Sequence, residues 1–175
     1  MGDKEHIQRL LEKGHSSALR DEIVRYVGNS PKRMKALMHF FFHEKLQYCQ
    51  RSSWPVGHIG LKYPNLVRPY AHQMIEVMDN PQHDAVVRNI LRIYEEVEIP
   101  EDVEGPLCDK CFEFIENPKN AVAIRAFALT VLQRIARKFP ELQQELVAQA
   151  KEIMPTGTAA LKVRCRRILK EFDVS

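Results

Sequence analysis

Basic side chains recur at fixed distances after three prolines of this chain. The five members of this basic series stand seven or eleven residues after Pro81, Pro118 or Pro155: Arg88, Arg92, Arg125, Lys162 and Arg166. Positions seven and eleven are one helical turn apart, so they share a face of any helix that carries them. A basic strip of this kind attracts phosphate groups or an acidic peptide. The alternative is a solvated row, or one that pairs with acidic side chains of the same molecule.

The chain's only tryptophan lies in a segment of different composition. Residues 50–63 combine Trp54 and Tyr63 with serine, proline and glycine, which favour turns. This composition predicts an irregular insertion loop at about residues 50–63. Long insertions in compact proteins often carry function, and Trp and Tyr are common at binding hot spots. We therefore expect Trp54 and Tyr63 to contribute to binding; the alternative is a loop that folds back over an apolar edge.

Two pairs of potential metal ligands have helical spacing. His39 and His43 stand four residues apart, but Phe40 follows the first of them, where a zinc protease has glutamate. Cys108 and Cys111 form a single C-x-x-C, and structural zinc needs a second such pair. We interpret the histidines as packing or surface residues and the cysteines as core thiols. No metal and no cofactor is predicted.

Motifs of the common enzyme classes are missing from the sequence. It contains no glycine-rich phosphate loop and no nucleophile elbow. Residues 154–158, MPTGT, have only a passing likeness to the signature loop of the fumarase and aspartase superfamily of lyases, which the chain does not otherwise resemble. No catalytic residue is therefore predicted, and a function without catalysis is favoured.

Repeated helices must position these residues, and prolines mark the repeat. Pro81, Pro118 and Pro155 lie 37 residues apart, each in a turn-forming stretch before a helical apolar pattern. A fixed period of about 20 to 50 residues is typical of repeat arrays. Apolar residues recur six, ten and thirteen positions after each of these prolines, which is the stripe of one helix face. Pro31 begins a similar pattern 50 residues before Pro81, and we assign the 13 additional residues to the insertion.

The repeated text resembles the HEAT-repeat family. Residues 117–129, NPKNAVAIRAFAL, carry the turn, its proline and an apolar-arginine pair, and residues 80–88 and 155–162 follow the pattern. HEAT units are pairs of a first and a second helix joined by a short turn. The resemblance implies an all-α fold, a right-handed α-α superhelix. We expect about four helix pairs plus an N-terminal helix at Asp3 to Glu12, in a single domain over residues 1–175.

The resemblance also implies a function. In a right-handed stack of HEAT units the second helices line the concave side, and the basic series lies on predicted second helices. This favours a protein-interaction module or scaffold that binds another protein there. Nucleic acid is the alternative partner, because some HEAT-like proteins bind DNA, among them a class of alkylpurine DNA glycosylases. HEAT units usually carry an Asp six residues before the arginine, where this chain has Gln82 and Lys119, which leaves the arginines for other contacts.

Charge and cysteine content narrow the setting of this function. The net charge is +3, but residues 1–83 and 121–175 are net positive and residues 84–120 net negative. An acidic middle between basic ends fits a protein partner at least as well as nucleic acid. There is no apolar run near the length of a membrane span and no apolar leader, and four cysteines do not make a disulfide framework. We predict a cytoplasmic protein without membrane contact and leave its oligomeric state open.

Overall fold

The computed structural model describes residues 2–173, which contain helices and no strand. The predicted all-α class is confirmed. The α-helices of this part of the chain are α1 Asp3–Glu12, α2 Ser17–Val27, α3 Pro31–Phe41, α4 Leu46–Lys62, α5 Pro64–Val67, α6 Ala71–Glu76, α7 Asp84–Tyr94, α8 Glu101–Glu116, α9 Val122–Lys138, α10 Gln143–Ile153 and α11 Ala159–Phe172. Short 3₁₀ turns occupy Arg68–Tyr70 and Pro140–Leu142.

Local signals set several helix ends where the sequence predicts them. The first helix has its predicted bounds. Ser16 caps α2 because its Oγ accepts a hydrogen bond from Leu19 N at 3.2 Å, which satisfies one free N–H of the first turn. Pro31 stands at the first position of α3, where its missing N–H costs nothing. Pro69 lies in the 3₁₀ turn between α5 and α6.

The chain folds as two compact units, unit 1 up to Pro100 and unit 2 from Glu101. A single domain over residues 1–175 stays a prediction. In unit 1, α4 packs against α2, α3 and α7, while α1 packs against α2 and α3. The proline register predicts α3 as the neighbour of α7, and instead α4 makes the extensive contact with α7. The helix after Pro31 is therefore a first helix, and α4 is the second helix of its repeat.

The insertion loop predicted at residues 50–63 is wrong, because this segment lies in α4. Its glycines make a close helix contact rather than a turn. A Cβ atom on Gly57 would lie 2.4 Å from Asn89 Oδ1, and one on Gly60 would lie 2.6 Å from Ile93 Cδ1. The absence of a side chain at both positions lets the α4 backbone approach α7.

The serines of the same segment are also part of the helix. Ser52 and Ser53 are buried, and their hydroxyl groups donate to the carbonyl oxygens of Tyr48 and Cys49 at 2.6 Å each. These bonds to the preceding turn satisfy the hydroxyl groups inside the core. Pro55, which has no N–H to donate, is accommodated in the helix interior. Residues that favour a loop locally are thus held in a helix by burial.

In unit 2, α8 packs against α9, α10 against α11, and α9 against α11. Helix α8 carries acidic Glu101 and Asp102 in its first turn, where they complement the helix dipole. The prediction that Cys108 and Cys111 are core thiols is confirmed, since both are buried. Burial is also the main cause that raises the pKa of Cys108 to about 11.

Candidate functional site

Trp54 lies in the middle of α4, and charged and aromatic side chains surround its ring. The guanidinium carbon of Arg20 lies 4.3 Å from the indole ring centroid, within the range of a cation–π interaction. The ring centroids of His15 and His58 lie 5.6 Å and 6.1 Å from that of Trp54. Trp54 is half-buried, so one part of its ring is covered and another part stays accessible.

Two second helices and one turn hold these groups in place. His15 belongs to the turn before α2, and Arg20 follows in the first turns of that helix. An ion pair with Asp21 at 2.7 Å holds the guanidinium group of Arg20. Trp54 and His58 are four residues apart on α4 and therefore share one face of it. Contact between α2 and α4 brings His15 and Arg20 together with Trp54 and His58.

A hydrogen bond determines the tautomer of His58. Its Nδ1 lies 3.1 Å from the carbonyl oxygen of Trp54. A carbonyl oxygen only accepts, so Nδ1 carries the proton and donates. In the neutral ring, Nε2 is then the acceptor nitrogen. Partial burial lowers the pKa of His58, with further lowering from the positive charges of Arg92 and Arg20, which keeps this ring neutral at pH 7.

His15 experiences positive charge from two other helices. Desolvation by partial burial lowers the pKa of His15, and the charges of Arg51, Arg88 and His83 lower this pKa further. Arg51 belongs to α4, and its side chain is held in place because its Nη1 donates to the carbonyl oxygen of Leu11 on α1 at 2.7 Å. Arg51 lies on α4 and Arg88 on α7, two helices that pack against each other.

Arg88 and Arg92 lie on α7, one helical turn apart. The first is exposed and the second half-buried. Within residues 2–173, the side chain of neither arginine takes part in a hydrogen bond or an ion pair. Helices α2 and α7 both pack against α4, and we call the six residues that they and the turn before α2 contribute the Trp54 cluster: His15, Arg20, Trp54, His58, Arg88 and Arg92.

The rest of the basic series lies in unit 2. Arg125 Nε and Nη2 donate to the carbonyl oxygen of Ile115 at 3.3 Å and 3.0 Å, so this side chain covers a free carbonyl at the end of α8. Lys162 is half-buried and Arg166 exposed, both on α11. In the described part of unit 2, the side chains of these two residues form no ion pair.

Tyr63 follows the last residue of α4. It stands nine residues beyond Trp54, about 13 Å along the helix axis, and the Lys62 ammonium lies 5.3 Å from its ring centroid. Tyr63 therefore lies apart from the Trp54 cluster along the axis of α4. Sequence reasoning missed His15, Arg20 and His58. The spacing of four residues between Trp54 and His58 was the available signal, and it has meaning only once this segment is recognised as a helix.

His39 and His43 lie at a separate groove of unit 1. It has a volume of about 500 Å³ and is lined by Lys35, Met38, His39, Phe42, His43, Glu44, Tyr70 and Gln73. The two histidine rings meet edge to face at 5.6 Å, and Lys45 N donates to His43 Nδ1. No group of three or more potential metal ligands with suitable geometry occurs among residues 2–173.

The Trp54 cluster has the chemistry of a binding surface. It offers two guanidinium groups without carboxylate partners, an acceptor nitrogen on His58 and a half-buried indole. Arginine and tryptophan are the residue types that most often dominate binding energy. Unpaired guanidinium groups favour an anionic ligand, because they can form bidentate bonds to carboxylate or phosphate. None of the described helices is long and apolar enough to cross a membrane.

Comparison with known proteins agrees with this architecture. The family model of the HEAT repeat domain matches residues 7–172, nearly the whole chain. No curated protein and no solved structure matches the chain. HEAT repeats are helical units that commonly mediate protein interactions. The repeat period, the helical fold and the family match together identify the chain as a member of the HEAT repeat domain family.

Proposed function

We propose that this protein is a non-enzymatic protein-interaction module, and that the Trp54 cluster binds an acidic segment of a partner protein. The observation that carries the proposal is the pair Arg88 and Arg92, which have no ion pair within residues 2–173 and lie on α7, the helix that packs against α4 and its Trp54. A half-buried tryptophan beside two unpaired arginines combines an apolar anchor with charge complementarity. The second helices α2, α4 and α7 provide the rigid support.

The charges of the Trp54 cluster support an anionic partner. Arg20 already has Asp21 as its counter-ion at 2.7 Å, so its charge is largely satisfied within the protein. Arg88 and Arg92 have no such partner in the described chain and repel each other across one helical turn. An acidic segment would relieve this repulsion and would cover the accessible part of the indole. Steering by such a charged face also speeds association.

The proposal is tested by comparing capture of binding proteins by matched variants. The test variant is Arg88→Glu with Arg92→Glu, and the control is Lys162→Glu with Arg166→Glu, which changes the net charge by the same amount in unit 2. We expect wild-type protein and the control to recover the same proteins from an extract of the cells that make it, and the test variant to lose them. Identical recovery by all three proteins would show that the partner does not bind at this cluster.

Nucleic acid is a second candidate partner, and the unpaired cations of α11 favour it. Unit 2 thus has basic side chains of its own on α11, Lys162 and Arg166, and exposed Arg167 is a third. Binding to phosphates must weaken steeply as salt increases. A gel shift with single- and double-stranded DNA and RNA at low salt is therefore decisive. A shift that disappears with salt supports this candidate, and no shift at low salt removes it.

The proposed setting is the cytoplasm. Cys49, Cys108, Cys111 and Cys165 are all free and buried. Reduced, unpaired cysteines are the rule in reducing compartments. We propose no cofactor and no metal for the module.

A further inference from the structure

We propose that the Trp54 cluster recognises a phosphomonoester, and that its natural source is a phosphorylated side chain of the partner protein. This inference rests on the proposed function and specifies the anion that the site accepts. It concerns α2, α4 and α7 of unit 1, and it distinguishes a dianionic phosphate from the single charge of a carboxylate.

The count of unsatisfied charges points to a dianion. The guanidinium group of Arg20 is paired with Asp21. That of Arg51 is directed at the carbonyl oxygens that end α1, with Leu11 O at 2.7 Å. Arg88 and Arg92 remain, with two positive charges and no acidic partner within residues 2–173. A phosphorylated side chain carries a charge of about −1.5 to −2 at neutral pH and so matches this pair.

The spacing of the donors also suits a phosphate. Arg88 and Arg92 are one turn apart on α7, a rise of about 6 Å along the helix. Two guanidinium forks at this spacing can converge on separate oxygens of one tetrahedral group, whereas a carboxylate offers only two oxygens in one plane. Arginine is the usual residue for this recognition because its planar fork forms bidentate bonds to phosphate.

The aromatic part of the cluster suits a ligand attached to a peptide. Arg20 covers the Trp54 ring at 4.3 Å, and the two histidines approach it from other directions. The remaining accessible part of the half-buried indole can contact the apolar portion of the phosphorylated residue or its neighbours. The pKa values of His15 and His58 are lowered, and a bound dianion would favour their protonated forms, which add N–H donors.

Trp54 is itself the reporter for the experiment. It is the chain's only tryptophan, so a ¹H–¹⁵N spectrum contains a single indole cross-peak and tryptophan fluorescence has a single source. The probes are the capped peptide acetyl-Gly-phosphoserine-Gly-amide, the same peptide with serine or glutamate in the centre, and dimethyl phosphate as a phosphodiester. All titrations are made at one ionic strength, because electrostatic binding depends on salt.

The expected result is a saturable shift of the indole cross-peak with the phosphoserine peptide. The serine peptide should produce no shift. The glutamate peptide and dimethyl phosphate should each bind at least about tenfold more weakly than the phosphoserine peptide, because each carries one charge. Arg88→Gln or Arg92→Gln should weaken phosphoserine binding by about tenfold each. Arg25→Gln, which removes an exposed arginine of α2 outside the cluster, should leave it unchanged. Circular dichroism spectra and melting curves confirm that each variant is folded.

Four outcomes would overturn the inference. Equal affinity for the glutamate and phosphoserine peptides would show a general acidic site, in which case the proposed function stands without the phosphate. Equal affinity for dimethyl phosphate would favour a nucleic acid backbone. No indole shift with any probe, in a folded protein whose partner capture still depends on Arg88 and Arg92, would show that the partner's anion is not a phosphate. Loss of both peptide binding and variant-dependent capture would reject both proposals.

Discussion

The guanidinium group of Arg20 on α2 lies over the indole of Trp54 on α4, 34 residues away in the sequence, with 4.3 Å between Cζ and the ring centroid. This contact joins two second helices of unit 1 and places a covered, cationic environment beside the only tryptophan. Helix α7, which carries Arg88 and Arg92, packs against α4 as well, so three helices contribute to the cluster. Its composition is the reason to expect binding here.

Replacement of Arg20 by methionine should destabilise unit 1. Arg20→Met keeps an apolar stem but removes the cation–π contact and the ion pair with Asp21, at a cost of about 1 kcal/mol. Urea unfolding followed by Trp54 fluorescence measures the change. The control is Arg25→Met on the same helix, at an exposed position, with an expected change within about 0.5 kcal/mol. Equal effects of the two substitutions would show that the contact with Trp54 contributes nothing to stability.

Addition of a methyl group at Gly57 should disturb the contact between α4 and α7. The new Cβ would lie 2.4 Å from Asn89 Oδ1, and Asn89 is held by its hydrogen bond to the carbonyl oxygen of Ala85 at 2.8 Å. Gly57→Ala should therefore cost about 1 to 3 kcal/mol. Gly105→Ala in α8 is the control, because no atom other than its chain neighbours and the backbone of its own helix lies within 4 Å of its Cβ position.

The expected change for that control is smaller. Alanine favours a helix over glycine by up to about 1 kcal/mol, whereas Pro106 disfavours a helical conformation of the residue before it, so the two effects oppose each other and Gly105→Ala should change stability less than Gly57→Ala. Thermal unfolding followed by circular dichroism compares both variants with the wild-type protein. An unchanged melting temperature for Gly57→Ala would mean that α4 and α7 are not in such close contact.

Arg125 should matter for stability more than for binding. Arg125→Leu removes both bonds to the carbonyl oxygen of Ile115 at the end of α8, with an expected loss of about 1 to 2 kcal/mol. Arg166→Leu removes an exposed arginine of the same basic series and should change stability by less than about 0.5 kcal/mol. Chemical unfolding followed by circular dichroism separates them. A larger loss for Arg166→Leu would contradict the assigned roles.

The stability of unit 1 should fall in mild acid, and His58 should contribute to this. Burial, Arg92 and Arg20 lower the folded-state pKa of His58 below its ordinary value of 6.5. Below about pH 6.5 the unfolded chain binds more protons than the native one, so stability decreases until the pH passes the lower folded pKa. His58→Gln should reduce the difference in urea midpoint between about pH 8 and pH 5.

Part of this pH dependence should remain in the variant. His15 and His39 also have lowered pKa values, with desolvation as the main cause. The measurement is Trp54 fluorescence during urea unfolding at each pH. If His58→Gln leaves the difference between the two midpoints as large as in the wild-type protein, the pKa of His58 does not differ between the folded and unfolded states.

The prediction at residues 50–63 failed for a physical reason. Serine, proline and glycine favour turns when only neighbouring residues are considered. In the folded chain, Gly57 and Gly60 fit against Asn89 and Ile93 of α7, and the gain from this close packing outweighs the local preference. Because part of α4 was interpreted as an insertion loop, the helix that begins at Pro31 was also assigned wrongly, as the second helix of its repeat.

The sequence by itself determined the helical class, the repeat period and many helix ends. These depend on local features: the 37-residue spacing of prolines, the apolar stripe and caps such as Ser16. The family match over residues 7–172 agrees with that pattern. Trp54, Arg88 and Arg92 were recognised as binding candidates from their residue type and spacing, and their role in binding stays a prediction.

Only the tertiary structure decided which of these residues lie together. His15, Arg20 and Trp54 come from separate segments, and their rings and charges meet because α2 packs on α4. It also separated Arg125, whose guanidinium group is bound to a backbone carbonyl, from Arg88, which is exposed without an ion pair in the described chain. Two arginines at equivalent repeat positions differ in this way because hydrogen-bond partners are set by packing, which periodicity does not contain.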